Sequence, residues 1–160
     1  MSGSKSFPTS DASEKPERNE VVLSLKTVQK MLPLVQRIAT DILAYHRVII
    51  CLQPEEERLD RQKRTLDWPQ RQRRYQIKEE LAIAGRDLQE AVAELHELGL
   101  VVLEESIARI GFPTLVNNRR AFFCWNPGDE SLQSWQFADE DVQRPIPASW
   151  LKEIRSTTSS

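Results

Sequence analysis

The sequence is poor in the residues that build covalent or metal-held scaffolds. Its 160 residues include two cysteines, Cys51 and Cys124, and two histidines, His46 and His96. Two cysteines are too few for a disulfide framework and are typical of a reducing cytoplasm. None of these residues has the spacing of a zinc site. We therefore expect a cytoplasmic protein with no bound metal and no cofactor.

Glycine is also scarce, and no hydrophobic run is long. The five glycines, at positions 3, 85, 99, 111 and 128, are too far apart for a phosphate-binding loop. The longest apolar run, 48–52, is far shorter than the roughly 20 residues that cross a bilayer, and the first residues contain no secretion signal. We expect no membrane association. The net charge of −2 selects no class of partner, and 39% hydrophobic residues indicates an elongated or partly disordered chain.

Two stretches carry apolar residues at heptad spacing, which predicts two long amphipathic helices. Ser24 can cap the first helix and Gly99 can end the second. The first seam is Leu25, Val28, Leu32, Val35, Ala39 and Ile42, and the second is Ile77, Leu81, Ala84, Leu88, Ala91, Leu95 and Leu98.

Both seams fade toward the connecting segment, which is typical of an antiparallel hairpin with a solvated tip. The first frame continues to His46, Ile49 and Gln53, and the second meets Arg74 and Gln70. Pro33 should kink the first helix. A separate short helix of about three turns is expected from Pro54, breaking at Trp68-Pro69, because the residue before proline avoids the helical region.

Charge and further apolar residues add to this picture. Residues 21–54 are basic and residues 79–105 are acidic, which favours antiparallel pairing of the helices. The first helix also carries apolar residues off its seam, and these predict a second buried face against the sheet or another subunit. They are Met31, Ile38, Leu43, Tyr45, Val48 and Ile50. We expect the partner to be a second copy or another protein, bound through this off-seam face.

Beyond Gly99 the pattern changes to short strand-like runs, at 100–103, 121–125 and 132–137. Asn126-Pro127-Gly128-Asp129 predicts a type II turn. The fold class is therefore α+β, a long antiparallel coiled-coil-like helical hairpin followed by a small antiparallel sheet of three or more strands. The expected organisation is a disordered tail at 1–20, one domain at 21–146 with its hairpin at 24–98 and its sheet at 100–137, and a docking segment with a disordered end at 147–160.

The order of the motifs resembles one known family. ELHELG-x-x-V is followed by FP, then R-x-x-x-x-CW-x-x-G-D, then W. Over about 24–146 this is similar to the uncharacterised bacterial domain-of-unknown-function family 2203. The resemblance implies the same helical hairpin and sheet, and it implies no activity. Where the family has aspartate before Phe-Pro this chain has Gly111, and where it has histidine after the tryptophan this chain has Gln136. The two replaced groups are the ones best suited to acid–base or metal chemistry.

Two sets of residues are candidates for a site, and neither is assigned as catalytic. The first is a ligand pocket in the aromatic segment, in which Cys124 would be a nucleophile with its pKa lowered by Arg119. Its members are Arg119, Cys124, Trp125, Trp135 and Arg144. The alternative is that the cysteine and tryptophans belong to the core.

The second set is a basic stripe at the hairpin tip with Trp68 interleaved, a candidate nucleic-acid contact. Its members are Arg61, Arg64, Arg71, Arg74 and Lys78. The acidic stretches 55–57 and 79–105 would repel phosphate, which disfavours nucleic acid. The sequence as a whole favours a non-enzymatic protein-interaction or structural module. The alternatives are a small enzyme or ligand-binding protein using the Cys124 and Trp135 pocket, and nucleic-acid binding through the basic tip.

Overall fold

The computed structural model describes residues 22–151, so the predicted tails at 1–20 and at the C-terminus lie outside the described residues. Two long helices precede a five-stranded antiparallel sheet, which confirms the α+β prediction. The elements are α1 Leu25–Arg61, α2 Trp68–Glu97, β1 Val101–Glu104, a 3₁₀ turn Glu105–Ile107, β2 Arg109–Val116, β3 Arg119–Trp125, β4 Ser134–Phe137 and β5 Arg144–Pro145. Residues 148–151 are again helical.

Local hydrogen bonds explain where the helices begin. The Ser24 hydroxyl accepts a bond from the Thr27 amide, as the sequence predicts for a helix cap. At α2 the Asp67 carboxylate accepts from the Gln70 amide, while the Gln70 side chain accepts from the Asp67 amide. This reciprocal pair is a capping box. Trp68-Pro69 therefore begins α2, and the prediction that a helix breaks there is wrong.

The first helix is continuous through both of its prolines. The separate helix predicted from Pro54 is not present, because α1 runs on to Arg61 with Pro33 and Pro54 inside it. Pro54 and Ile50 are both exposed, so water can solvate the Ile50 carbonyl that loses its amide partner. A missing backbone hydrogen bond costs less free energy when water can replace it. The apolar contacts on either side of Pro54 keep the helix continuous.

The hairpin tip is solvated at 61–65, as the sequence predicts, but it also has a small core of its own. Leu59, Leu66 and Ile77 are buried there, with Leu52 and Leu81 packed against them. The extrapolated frame placed Gln53 at this seam, but Gln53 is exposed. The buried side of α1 runs instead through Leu52 and Leu59, which are seven residues apart. Near the tip the buried positions therefore come one residue earlier than the heptad frame predicts.

The sheet follows the order β1-β2-β3-β4-β5, with β2 and β5 as strands that the sequence did not reveal. β2 contains Pro113, whose carbonyl accepts a bond from the Leu23 amide. The amide and carbonyl of one strand residue point to the same side, so the missing N–H of Pro113 faces Leu23 and leaves the pairing of β2 with β3 intact.

The main core lies between the sheet and the adjoining halves of both helices. Ala121, Phe123 and Trp125 of β3 are buried in one cluster with residues of α1 and α2. The off-seam face of α1 divides along its length. Ile38 is buried in this cluster, and Met31, Leu43 and Tyr45 pack against it. Val48 and Ile50 lie beyond it and stay exposed.

Candidate functional site

The sheet separates Cys124 from the rest of the predicted pocket. Side chains alternate along a strand, so Cys124 points to the outer face of β3 while Trp125 points to the core. Trp135 pairs with Phe123 on one side and with Arg144 on the other, which places it on the inner face together with Arg144. Arg119 also has the inner-face register of β3. Four of the five residues therefore share one face, and the thiol lies on the other.

Cys124 is enclosed by neutral groups. Its thiol donates to Gln136 Oε1 at 3.4 Å, and the Gln136 amide nitrogen donates to the Glu140 carbonyl at 2.8 Å. Cys124 is 3% exposed. This burial raises the pKa of the thiol to about 11, although the Arg109 charge and a hydrogen bond with Ser134 lower it in part. The group is a protonated thiol at neutral pH, which is a poor nucleophile.

Gly111 and Gln136 both adjoin Cys124. Gly111 is its partner in β2, and Gln136 holds its thiol. A Cβ at position 111 would lie 3.0–3.1 Å from three side-chain carbons of Leu103. Leu103 thus occupies the space that a larger residue at 111 would need. The outer face at Cys124 is closed by an apolar side chain and an amide.

The inner face carries an arginine and aromatic cluster near the edge of the sheet. The Arg119 guanidinium lies 3.9 Å from the centre of the Phe137 ring and pairs with Asp139 at 2.9 Å. Arg144 lies over Trp135 at 5.3 Å and pairs with Glu140 at 3.0 Å. Both cations are therefore held by carboxylates and stacked on rings.

The sequence reasoning did not identify Phe137, Asp139, Glu140 or Trp150 as members of this cluster. The adjacent acidic pair directly after β4 is a pattern that could have indicated partners for Arg119. Trp150 packs on Trp135, with ring centres 5.7 Å apart, and meets the edge of Phe123. The cluster is filled by its own members.

Trp125 closes the turn that the sequence predicts after β3. Its indole nitrogen donates to the Asp129 carbonyl at 3.0 Å, and the Asp129 amide donates to the Asn126 carbonyl. Gly128 has a φ of +98°, which the third position of a type II turn requires. The type II turn is confirmed, and Trp125, 1% exposed, serves as its anchor.

At the hairpin tip, part of the predicted basic stripe is neutralised by α1. Arg74 Nε lies 2.7 Å from Asp60 Oδ1, and Lys78 Nζ lies 3.0 Å from Glu56 and 3.3 Å from Asp60. The neighbouring Arg73 donates two bonds of 3.0 Å to Glu55. The bond from Arg74 holds the pKa of Asp60 below its usual value, and the bond from Arg73 does the same for Glu55. Two of the five predicted contacts are thus engaged across the hairpin.

The rest of the stripe is open to solvent. Arg61 and Arg64 are exposed and have no carboxylate partner among residues 22–151. Arg71 donates from Nε to the Leu66 carbonyl and is otherwise exposed. Trp68 and Tyr75 are 65% and 72% exposed. Large aromatic side chains are rarely so exposed without a partner.

The part of the chain that the structure describes offers few other features that could form a site. It contains no cluster of three histidine, cysteine or acidic residues that could hold a metal. An open groove of about 380 Å³ on α2 is lined by Leu88, Val92, His96 and Glu105 among others. Neither described helix has a stretch long and apolar enough to cross a membrane.

Comparison with known proteins gives one match. The model of the family described as an uncharacterized conserved protein, DUF2203, matches residues 22–144. No curated protein and no solved structure matches the sequence.

Proposed function

Because the chain belongs to the DUF2203 family, whose description states no activity, we propose a function from its own structure: a non-enzymatic protein-interaction module of the bacterial cytoplasm. The observation that carries this proposal is how the candidate pocket is filled. Cys124 is bonded to Gln136, and Arg119 and Arg144 are paired with carboxylates. These contacts occupy most of the polar groups that a small molecule would use, although Glu140 Oε1 and Arg144 Nη1 are buried without a hydrogen bond.

The hairpin is the part of the molecule that has an exposed apolar surface for a partner. Beyond the main core, α1 continues for several turns with Val48 and Ile50 at 38% and 54% exposure. Ile50 lies seven residues after Leu43, which packs against the main core. The face of α1 that packs against the main core at Leu43 is therefore uncovered near Ile50. We propose that a second copy of the chain packs along this distal half of α1, in a coiled-coil-like contact.

Light scattering on a sizing column over a range of concentrations tests this. We expect a mass above that of the monomer for the natural sequence and the monomer mass for Ile50→Asp. Thr40→Asp is the matched control, because Thr40 is exposed on the part of α1 beside the main core and outside the distal half. It should leave the mass unchanged. A monomer at every concentration, with no difference between the variants, would contradict the dimer.

The alternative of an enzyme or ligand pocket at Cys124 and Trp135 has weaker support. The two side chains lie on opposite faces of the sheet, and the register leaves no shared cavity for them. A thiol with a pKa of about 11 also lacks the anionic form that nucleophilic catalysis needs. Rapid, stoichiometric reaction of Cys124 in the folded protein would revive this alternative.

A further inference from the structure

The hairpin tip carries exposed aromatic rings and exposed cations close together in sequence. Trp68 and Tyr75 are seven residues apart on α2, which places them on the same face about 10 Å apart along the axis. Arg71 lies between them on that face, three residues after Trp68 and four before Tyr75. The exposed cations Arg61, Lys63 and Arg64 lie at the end of α1 and in the connection to α2. We call these six residues the tip surface.

Most of the acidic residues nearby are already engaged, whereas Glu57, one turn before Arg61, is exposed and offsets part of this charge. Glu55, Glu56 and Asp60 are each paired with a cation of α2. The Asp67 carboxylate is occupied as the helix cap. Among the described residues, no carboxylate lies within ion-pair distance of the cations of the tip surface. Glu79, one turn after Tyr75, marks where the acidic part of α2 begins.

The tip surface is also held in shape before any partner binds. Leu66 of the connecting segment is 6% exposed, and it packs with Leu59 and Ile77. The Arg71 guanidinium donates to the carbonyl of the same Leu66 at 3.3 Å. The capping box then fixes the first turn of α2, on which Trp68 lies. Ordering a partner on a rigid surface costs less than ordering both sides.

We propose that the tip surface binds single-stranded nucleic acid, with bases stacked on Trp68 and Tyr75 and phosphates on the four cations. Stacking on aromatic rings together with a cationic track is how proteins bind unpaired strands without reading their sequence. A duplex keeps its bases stacked on one another and cannot use the rings in this way. Anionic membranes fit less well, because polar residues separate the two rings and leave no continuous apolar face to insert. This binding is independent of the proposed dimer, which uses a different part of α1.

Fluorescence anisotropy with a labelled single-stranded oligonucleotide of about 12 nucleotides tests the proposal. We expect binding at low salt that weakens with a log–log salt slope of about −3, as four phosphate contacts would give. Trp68→Ala and Tyr75→Ala should each weaken binding by roughly 5- to 150-fold, the range reported for loss of one stacked base. Ile83→Ala, an exposed apolar residue on the same helix, is the matched control and should bind like the natural sequence.

The charge contribution is tested separately. Arg61→Ala and Arg64→Ala should each reduce the magnitude of the salt slope by about 0.7. Arg37→Ala removes an exposed cation from the part of α1 near the sheet and should leave the slope unchanged. Thermal melts of all variants confirm that each one folds.

Any of the following results would overturn the proposal. One is no binding of the oligonucleotide at low salt. Another is equal or tighter binding of a duplex of the same length, or unchanged binding by the Trp68→Ala and Tyr75→Ala variants. The last is binding to vesicles rich in anionic lipid with none to the oligonucleotide, which would assign the surface to a membrane. The dimer measurement is made without nucleic acid, so failure of one proposal does not imply failure of the other.

Discussion

The two cysteines experience opposite environments, and this difference has consequences for reactivity. Cys51 is exposed on α1, whereas Cys124 is buried in the sheet. The thiolate is the reactive form of cysteine, and burial away from water disfavours it. The Gln136 side chain accepts a hydrogen bond from the thiol and adds no positive charge that would favour the thiolate.

We expect one fast and one slow thiol in the folded protein. A colourimetric disulfide reagent at neutral pH should modify Cys51 quickly and Cys124 only as the chain unfolds. Cys51→Ser should remove the fast phase, and adding denaturant should release the slow one. A fast phase that survives in Cys51→Ser would show that Cys124 is accessible and ionised.

The raised pKa of Cys124 also predicts a loss of stability in alkali. The folded chain keeps the thiol proton up to about pH 11, while the unfolded chain releases it near its usual 9.0. Unfolding therefore releases a proton between these values, and the free energy of unfolding falls as the pH rises through them. The loss is on the order of 2–3 kcal/mol at about 1.4 kcal/mol per pKa unit. Urea melts of the natural sequence and of Cys124→Ala at several pH values across this window test this. The free energy of unfolding should depend less steeply on pH in the variant.

At the scale of single elements, the two helices were predictable because their apolar residues repeat with a clear period. In α2 the seam from Ile77 to Leu95 is buried or half-buried throughout. The strict seven-residue frame of α1 does not continue to the hairpin tip. The side that faces α2 therefore moves from the extrapolated Gln53 to Leu52 and Leu59.

The missing strands have a different cause. β2 contains Gly111 and Pro113, which usually interrupt strands, and only the pairing partners show why they are tolerated. Gly111 makes room for Leu103, and Pro113 turns its missing N–H away from β3. β5 is two residues long, too short for any pattern. These features depend on tertiary contacts, so the local sequence does not indicate them.

Replacing Leu59 tests the revised frame. Leu59 is 2% exposed, so Leu59→Ala should lower the free energy of unfolding by about 2–5 kcal/mol. Gln53→Ala, at the position that the extrapolated frame would bury, should change it by less than about 0.5 kcal/mol. Denaturant melts compare the two variants with the natural sequence. Equal costs at both positions would contradict the packing of the tip.

At the scale of the whole molecule, the sequence could predict the two long helices and the fold class but not which side chains meet. Cys124 and Trp125 are neighbours in the chain, yet they point to opposite faces of the sheet. Arg119 and Asp139 are 20 residues apart, yet they form an ion pair at 2.9 Å. The predicted pocket was a group of neighbours in sequence, and strand alternation divides such a group. The basic tip is also divided: Arg74 and Lys78 pair with carboxylates of α1, and the other three cations stay exposed.

The described residues form two cores of unequal size, and this inequality predicts how the molecule opens. Nineteen buried residues make up the main core, whereas three make up the tip cluster. Between Ile42 and Leu59 no residue of α1 is fully buried. Cooperative units tend to separate where buried contacts are few. The distal half of the hairpin should therefore open while the sheet and the adjoining halves of the helices remain folded.

Native-state hydrogen exchange measures this directly. We expect amides of 52–61 and 70–81 to exchange with a smaller free energy of opening than amides of 88–95 and 110–125. Leu59→Ala should lower protection in the first group and leave the second unchanged, because the two cores share no buried residue. If all four segments exchanged with one common free energy, the hairpin and the sheet would form a single cooperative unit. The tip would then be stabilised through the main core. Its own buried cluster and the ion pairs of Asp60 would contribute little to the free energy of opening.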